Sequence, residues 1–243
     1  MLRQRRTIGG GVPPSLGTRF VLLLSVLALA LMPTIANAAP AASWEHEDDN
    51  HNGWTAISAG MLASGDPYVL NDGNYYFSGD YDEGWGRDVI DSSSRLVVEG
   101  DVVLCLADTR YSYEGTGEGS CGIEVKEGAS LTICCCGRDE YYNYDGEIVF
   151  SNVGNGIDNH GTFTMAGGGV LANTVAEGAC AYNHASATMH ASGGGLSGAS
   201  GNLNARNASY GIYNAPGGKL EISGTARISG EQPGDGPVWE LTP

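Results

Sequence analysis

Asn159-His160-Gly161-Thr162-Phe163-Thr164-Met165 and Asn183-His184-Ala185-Ser186-Ala187-Thr188-Met189 repeat one frame. Each copy runs into a glycine triplet, Gly167 to Gly169 and Gly193 to Gly195. Aligned without gaps, Met165 falls on Met189. A third copy runs from Tyr213 to Gly224 and a fourth from Ile123 to Ile133, both with two extra residues at the turn. Leu96 to Leu106 is a weaker, earlier copy. The unit is a short strand, a turn of the N-x-G kind, and an alternating strand ending in Met or Ile.

The anchors Ile133, Met165, Met189 and Ile222 are spaced 32, 24 and 33 residues apart. Such a period fits the coils of a parallel β-solenoid, where no coil buries its inner face alone and stacking makes one core. Alternation puts Leu131 with Ile133, and Phe163 with Met165, on one face, which we assign inward. The expected class is therefore all-β, a short parallel solenoid; the alternative is an antiparallel β-sandwich joined by hairpins. Glycine is 38 of 243 residues, about twice the usual proportion. No long 3.6-residue period occurs, and the best helical candidate, Trp54 to Ala63, is short.

The N-terminus carries Arg3, Arg5, Arg6 and Arg19 and no acid, then the apolar run Phe20 to Met32 and the small-x-small site Ala36-Asn37-Ala38. This reads as a secretory signal peptide over residues 1–38, too short in its apolar part for a comfortable membrane span. The whole chain has 12 Lys+Arg against 28 Asp+Glu; without the leader the balance is 8 against 28, a formal net of −20. That excludes a nucleic-acid footprint and argues against adhesion to an anionic membrane. It suits a soluble extracellular surface with no membrane insertion after cleavage.

A wider set of residues then forms a pattern: His51-Asn52-Gly53-Trp54, Leu70 to Phe77, Val103 to Leu106, Gly128 to Ile133, and Gly161 to Gly168. In this order the chain resembles right-handed parallel β-helix surface proteins of Gram-positive and gut-type bacteria, within the pectate-lyase-like superfamily, from His51 to Gly230. The resemblance implies a right-handed solenoid in a secreted or wall-associated protein, often one module of a larger adhesin-like polypeptide. It implies no activity, because the fold hosts enzymes and non-enzymes alike. The expected layout is a flexible acidic leader over 39–53, a capping segment over 54–95, coils over 96–230, and a linker or truncated tail over 231–243.

Catalysis in such a fold needs a charged cluster on one outward sheet. Asp158-Asn159-His160-Gly161 resembles short motifs of β-helix hydrolases, but its frame recurs at Asn183, so its histidine reads better as repeat structure. No catalytic residue is assigned; a polysaccharide lyase or glycoside hydrolase stays as the alternative to binding, and a structural surface spacer as a third reading. The acids Asp80, Asp82, Glu83 and Asp88 could ligate Ca2+, although they lack the spacing of a calcium loop and also read as a solvated acidic loop. No other cofactor is expected.

Aromatics carry the binding expectation. Tyr81, Trp85, Tyr111, Tyr113, Tyr141, Tyr142 and Tyr144 lie in or beside acidic stretches, several within two insertions, Ala107–Ser120 and Gly137–Gly146, expected to protrude as loops. Tyr faces stack on sugars and also recognise proteins, so the expected partner is a glycan or an extracellular protein. Equally, these loops could cover the solenoid and pack their own tyrosines.

The run Cys134-Cys135-Cys136 completes the reading. Neighbours on a strand point to opposite faces, so the three thiols do not converge on one ion. If Leu104 stacks on Ile133, Cys105 faces outward near Cys134 or Cys136, at a separation a disulfide accepts. The expectation is a bond from Cys105 to Cys134 or Cys136, with Cys121 the next partner, Cys135 buried inward, and Cys180 a free or core thiol.

Overall fold

The structure, a computed structural model, describes residues 51–83, 87–136, 146–175, 178–200 and 209–230. The expected signal peptide 1–38, the part of the expected leader before residue 51, Trp85, the run 137–145 with its tyrosines, and residues 231–243 lie outside the described residues.

The chain is a parallel β-solenoid. Each coil lays strands on three faces and returns to the first face one rung further on. Face one is a seven-stranded sheet of Thr55–Ser58, Gly73–Ser78, Asp101–Cys105, Ser130–Cys134, Thr162–Met165, Thr188–Ala191 and Lys219–Ile222. Two long strands, Thr109–Val125 and Glu147–Asn159, bend and serve both other faces. Their first parts join Arg87–Ser92, Gly169–Thr174, Gly195–Ser200 and Arg227–Gly230 as face two. Their last parts join Tyr68–Leu70, Leu96–Val98, Gly178–Asn183 and Ser209–Asn214 as face three. The bend in Glu147–Asn159 falls at the register shifts around Val153, where Asn152 has φ 55°. Among the described residues only Asp80–Asp82 pairs antiparallel, with Arg87–Ser92, so the sandwich alternative is set aside.

Registry explains the core. On face one Val102, Leu131, Phe163, Met189 and Leu220 stack rung on rung, beside Leu104, Ile133, Met165, Ala191 and Ile222. Most of these inward side chains are fully buried; Leu220, on the last rung, is exposed. Met165 thus pairs with Ala191, not with Met189 as the gapless alignment has it. The reason is turn length: two residues, His160 and Gly161, separate the strands of one coil, and four, His184 to Ala187, separate those of the next. A two-residue slip keeps the inward set inward, because strand side chains alternate with period two.

Three expectations are corrected. Trp54 to Ala63 is no α-helix: it forms the strand Thr55–Ser58 and one 3-10 turn, Ala59–Leu62, with Ile57 and Leu62 buried. Segment 54–95, expected as a cap, already carries coil strands in parallel register with the next coil. The insertion Ala107–Ser120 is no protruding loop, since it runs into the strand Thr109–Val125. Its Thr-Arg-Tyr-Ser-Tyr alternation turns Tyr111 and Tyr113 inward. Tyr111 is fully buried, stacked on Phe77 at 4.8 Å and edge-on to Phe150 at 6.4 Å. Its hydroxyl donates to the Ser94 carbonyl at 3.0 Å, and burial raises its pKa.

Between faces three and one, the corner is held by an asparagine ladder. Asn159, Asn183 and Asn214 occupy one register position, and the first two are fully buried. Asn159 Nδ2 donates to Asn183 Oδ1 at 2.7 Å and to the Thr188 carbonyl at 2.9 Å. One rung on, Asn183 Nδ2 repeats this, to Asn214 Oδ1 at 2.7 Å and the Lys219 carbonyl at 3.0 Å. Asn214 Nδ2 ends the run on the Gly218 carbonyl at 3.1 Å. The amides satisfy polar backbone that the corner turns away from the strand ladders, and buried polar groups require such partners.

Candidate functional site

The same corner carries the site. The turn His160–Gly161 has two residues, whereas the turns on the coils either side, 126–129 and 184–187, have four. A short turn between two long ones leaves a notch of about 660 Å³, walled by Lys126 to Ser130 on one side and by Ala185, Ser186 and Thr188 on the other. Gly161 is its floor. A Cβ there would stand 2.3 Å from the Ala129 carbonyl oxygen and 2.5 Å from that of Lys126, so only glycine lets the neighbouring turn back onto it.

Beside the notch, face three presents one outward row. Glu124, Asp158, Tyr182 and Tyr213 stand on successive rungs in register. The Tyr182 and Tyr213 rings stack at 4.9 Å, and Tyr210 lies 5.8 Å from Tyr213. Tyr210 and Tyr213 are 39% and 38% exposed, unusual for aromatic rings and enough to leave a face open to a ligand. The His160 and His184 rings stack at 3.8 Å, and Tyr182 tilts over His184 at 4.6 Å. Asp158 binds both histidines: His184 Nε2 donates to Oδ1 at 2.7 Å, and His160 Nε2 lies 3.6 Å from Oδ2. Asp158, His160 and His184 thus converge their ligand atoms within 4.8 Å, a carboxylate with two imidazoles that could hold a divalent ion with coordination positions to spare.

Glu124 closes the acidic end of the row. Partial burial works against its charge, but hydrogen bonds and charge from Lys126, and from Arg95 at 2.7 Å, outweigh it and lower its pKa. It is therefore held ionised. The arrangement offers a stacked aromatic platform, a polar notch, and a carboxylate–imidazole group between them.

The residues expected from sequence are scattered. Tyr111 and Tyr113 belong to the core, which corrects their assignment to a surface ligand site. Tyr81 is 67% exposed on the short strand Asp80–Asp82, away from the aromatic row. Trp85, Tyr141, Tyr142 and Tyr144 lie outside the described residues. Asp80, Asp82, Glu83 and Asp88 are not drawn together: Asp88 stands opposite Tyr81 and Asp82 opposite Arg87, and the described groups whose ligand atoms converge are elsewhere. Sequence reading set His160 aside as repeat structure and missed Tyr182, Tyr210 and Tyr213. The signal available was the recurring histidine itself, since a repeated position in a solenoid is a stacked position.

For the cysteines, Leu104 does stack on Ile133, and Cys105 stands in register with Cys134. Cys105, Cys134 and Cys136 form a buried cluster apart from the main core. All six sulfurs are thiols, and Cys105 Sγ is 3.0 Å from Cys136 Sγ, beyond a disulfide bond of about 2.05 Å. Cys121 lies on the other sheet, its sulfur 3.6 Å from Arg95 Nη1, outside this group. Cys135 is half-buried, touches the main core, and donates to the Ala107 carbonyl at 3.2 Å. Cys180 is a core thiol whose pKa burial pushes up to about 12.

Fold and site together define a parallel β-solenoid with an outward aromatic row at one corner. Comparison with protein-family models, curated proteins and solved structures returned no match.

Proposed function

We propose that this is a secreted, cell-surface type β-solenoid that binds glycan at the corner between faces three and one, without catalysis. The observation that carries the reading is the stacked, half-open pair Tyr182 and Tyr213 beside a polar notch. The two rings lie face to face along the axis, so they present their edges side by side, and the half-exposed Tyr213 at the end of the row offers its outer face to a sugar ring. Asp158 and the notch-wall residues Ser130, Thr162 and Ser186 supply partners for hydroxyls. The net acidity favours neutral over acidic glycans.

Polysaccharide cleavage is the competing reading, since Asp158 and Glu124 are carboxylates on adjacent rungs. Glu124 is poorly suited to the acid role, because its two cationic partners keep it ionised where a general acid needs a raised pKa. A glycan array, followed by calorimetry on the best ligand, tests binding. Tyr213→Ala should weaken it about fivefold or more, as removal of one aromatic stack implies. Unchanged affinity in both Tyr182→Ala and Tyr213→Ala would remove the site, and release of reducing ends or unsaturated products would replace binding by catalysis.

A further inference from the structure

Cys105, Cys134 and Cys136 are 0%, 1% and 3% exposed in a pocket lined by Trp54, Tyr76, Val103 and Ala107. His51 reaches into this pocket from just ahead of the first strand. Its Nε2 lies 3.2 Å from Cys136 Sγ, and Cys136 Sγ lies 3.0 Å from Cys105 Sγ. The ligand atoms of His51, Cys105 and Cys136 all fall within 4.8 Å of one another. We propose that Cys105, Cys136 and His51 bind a thiophilic d10 metal ion of the zinc class, in the buried cluster that also holds Cys134.

Geometry supports this directly. An ion with metal–sulfur bonds of about 2.3 Å and metal–nitrogen bonds of about 2.0 Å in a tetrahedron needs S···S near ~3.8 Å and S···N near ~3.5 Å. The observed separations need open by less than about 1 Å, which side-chain rotation supplies. The imidazole is already aimed, stacked on Tyr76 at 4.2 Å and edge-on to Trp54 at 5.4 Å. The Ala107 amide donates to Cys105 Sγ at 3.4 Å, the kind of outer hydrogen bond that steadies a metal thiolate. The strand ends at Cys134; Cys136 follows it into the same buried cluster as Cys105, while Cys135 packs against the main core and donates to the Ala107 carbonyl, so the triple run does not bring three sulfurs to the ion. On binding, the ligating thiols release their protons to solvent and nothing is oxidised. A disulfide is the rival fate of the same sulfurs, but it would use two of them and give the aimed imidazole no role. The ion would clip the His51 turn onto the third and fourth rungs of face one.

The test uses the full mature chain, reduced and then freed of reductant without air. Titration with Zn2+, and with Co2+ as a spectroscopic stand-in, should show one tight equivalent with thiolate charge-transfer bands. Cys136→Ser and His51→Ala should each weaken that equivalent at least tenfold. His51 precedes the first strand, so its variant reads the site even if a cysteine variant misfolds. Cys180→Ser should bind as the parent does, and His184→Ala should leave the charge-transfer bands unchanged. No uptake by reduced, folded protein overturns the proposal. So does a Cys105–Cys136 disulfide that forms in air with zinc present, or full uptake by His51→Ala together with Cys136→Ser.

Discussion

Asn183→Ala cuts the asparagine ladder at its middle rung. The substitution removes the acceptor for Asn159 Nδ2 and the donors to Asn214 Oδ1 and the Lys219 carbonyl. Asn159 keeps its second acceptor, the Thr188 carbonyl, and Asn214 is exposed enough to turn to water. Three bonds at about 1 kcal/mol each, less what water recovers, give an expected loss of about 2–3 kcal/mol. Asn214→Ala, at the open end, should cost about 0.5–1 kcal/mol, because Asn183 retains the Lys219 carbonyl. Asn183→Asp separates polarity from size: it keeps the acceptor but sets a carboxylate against two oxygens, so it should cost more than alanine. Urea unfolding of the three variants, with unchanged m-values, measures this. A loss for Asn183→Ala below about 0.5 kcal/mol, or an Asp variant milder than Ala, would refute the view that the corner depends on the ladder.

Three other outcomes are expected. Gly161→Ala should destabilise the chain and alter ligand binding together, read by thermal melting and calorimetry, because its Cβ meets two carbonyls of the preceding coil's turn. Tyr111→Phe should cost only about 0.5–1.5 kcal/mol in urea unfolding, since the Ser94 carbonyl keeps the Ser92 hydroxyl at 2.7 Å. The lowered Glu124 pKa means its ionised form stabilises the fold above the unfolded value of about 4.3, and that contribution fades as pH falls through the folded value. Glu124→Gln should therefore be less stable than the parent near neutral pH and equal to it in acid, by melts across pH; a gap that persists at low pH would contradict the ion-pair assignment.

How far the sequence carried can be judged from particular residues. Phe163 and Met165 were placed inward correctly, although their partners on the next coil were misjudged by two residues. The face survived because strand alternation has period two, and an even error is silent. Turn length was legible in the copies at 123–133 and 213–224, whose two extra residues show in the alignment, but not at His184: His160-Gly161 and His184-Ala185 look like the same start, and only packing shows that one returns two residues sooner. Tyr111 and Tyr113 misled because Glu and Gly follow them closely, which mimics a loop, while the alternation that buries them spans only a few residues. The aromatic row could not be read at all from local pattern. Asp158, Tyr182 and Tyr213 are 24 and 31 positions apart, and become neighbours only once the registers of three coils are known.

The short turn at Gly161 has a consequence for how such a surface can change. In a stack of rungs about 4.8 Å apart, distance along the axis is counted in whole coils. Dropping two residues from one corner leaves every strand facing as before and lowers the ridge at one address. Shortening the turn 126–129 in the same way would lengthen the notch by one rung, while restoring two residues at Gly161 would erase it. A site of this kind is placed by subtraction, and its length is quantised.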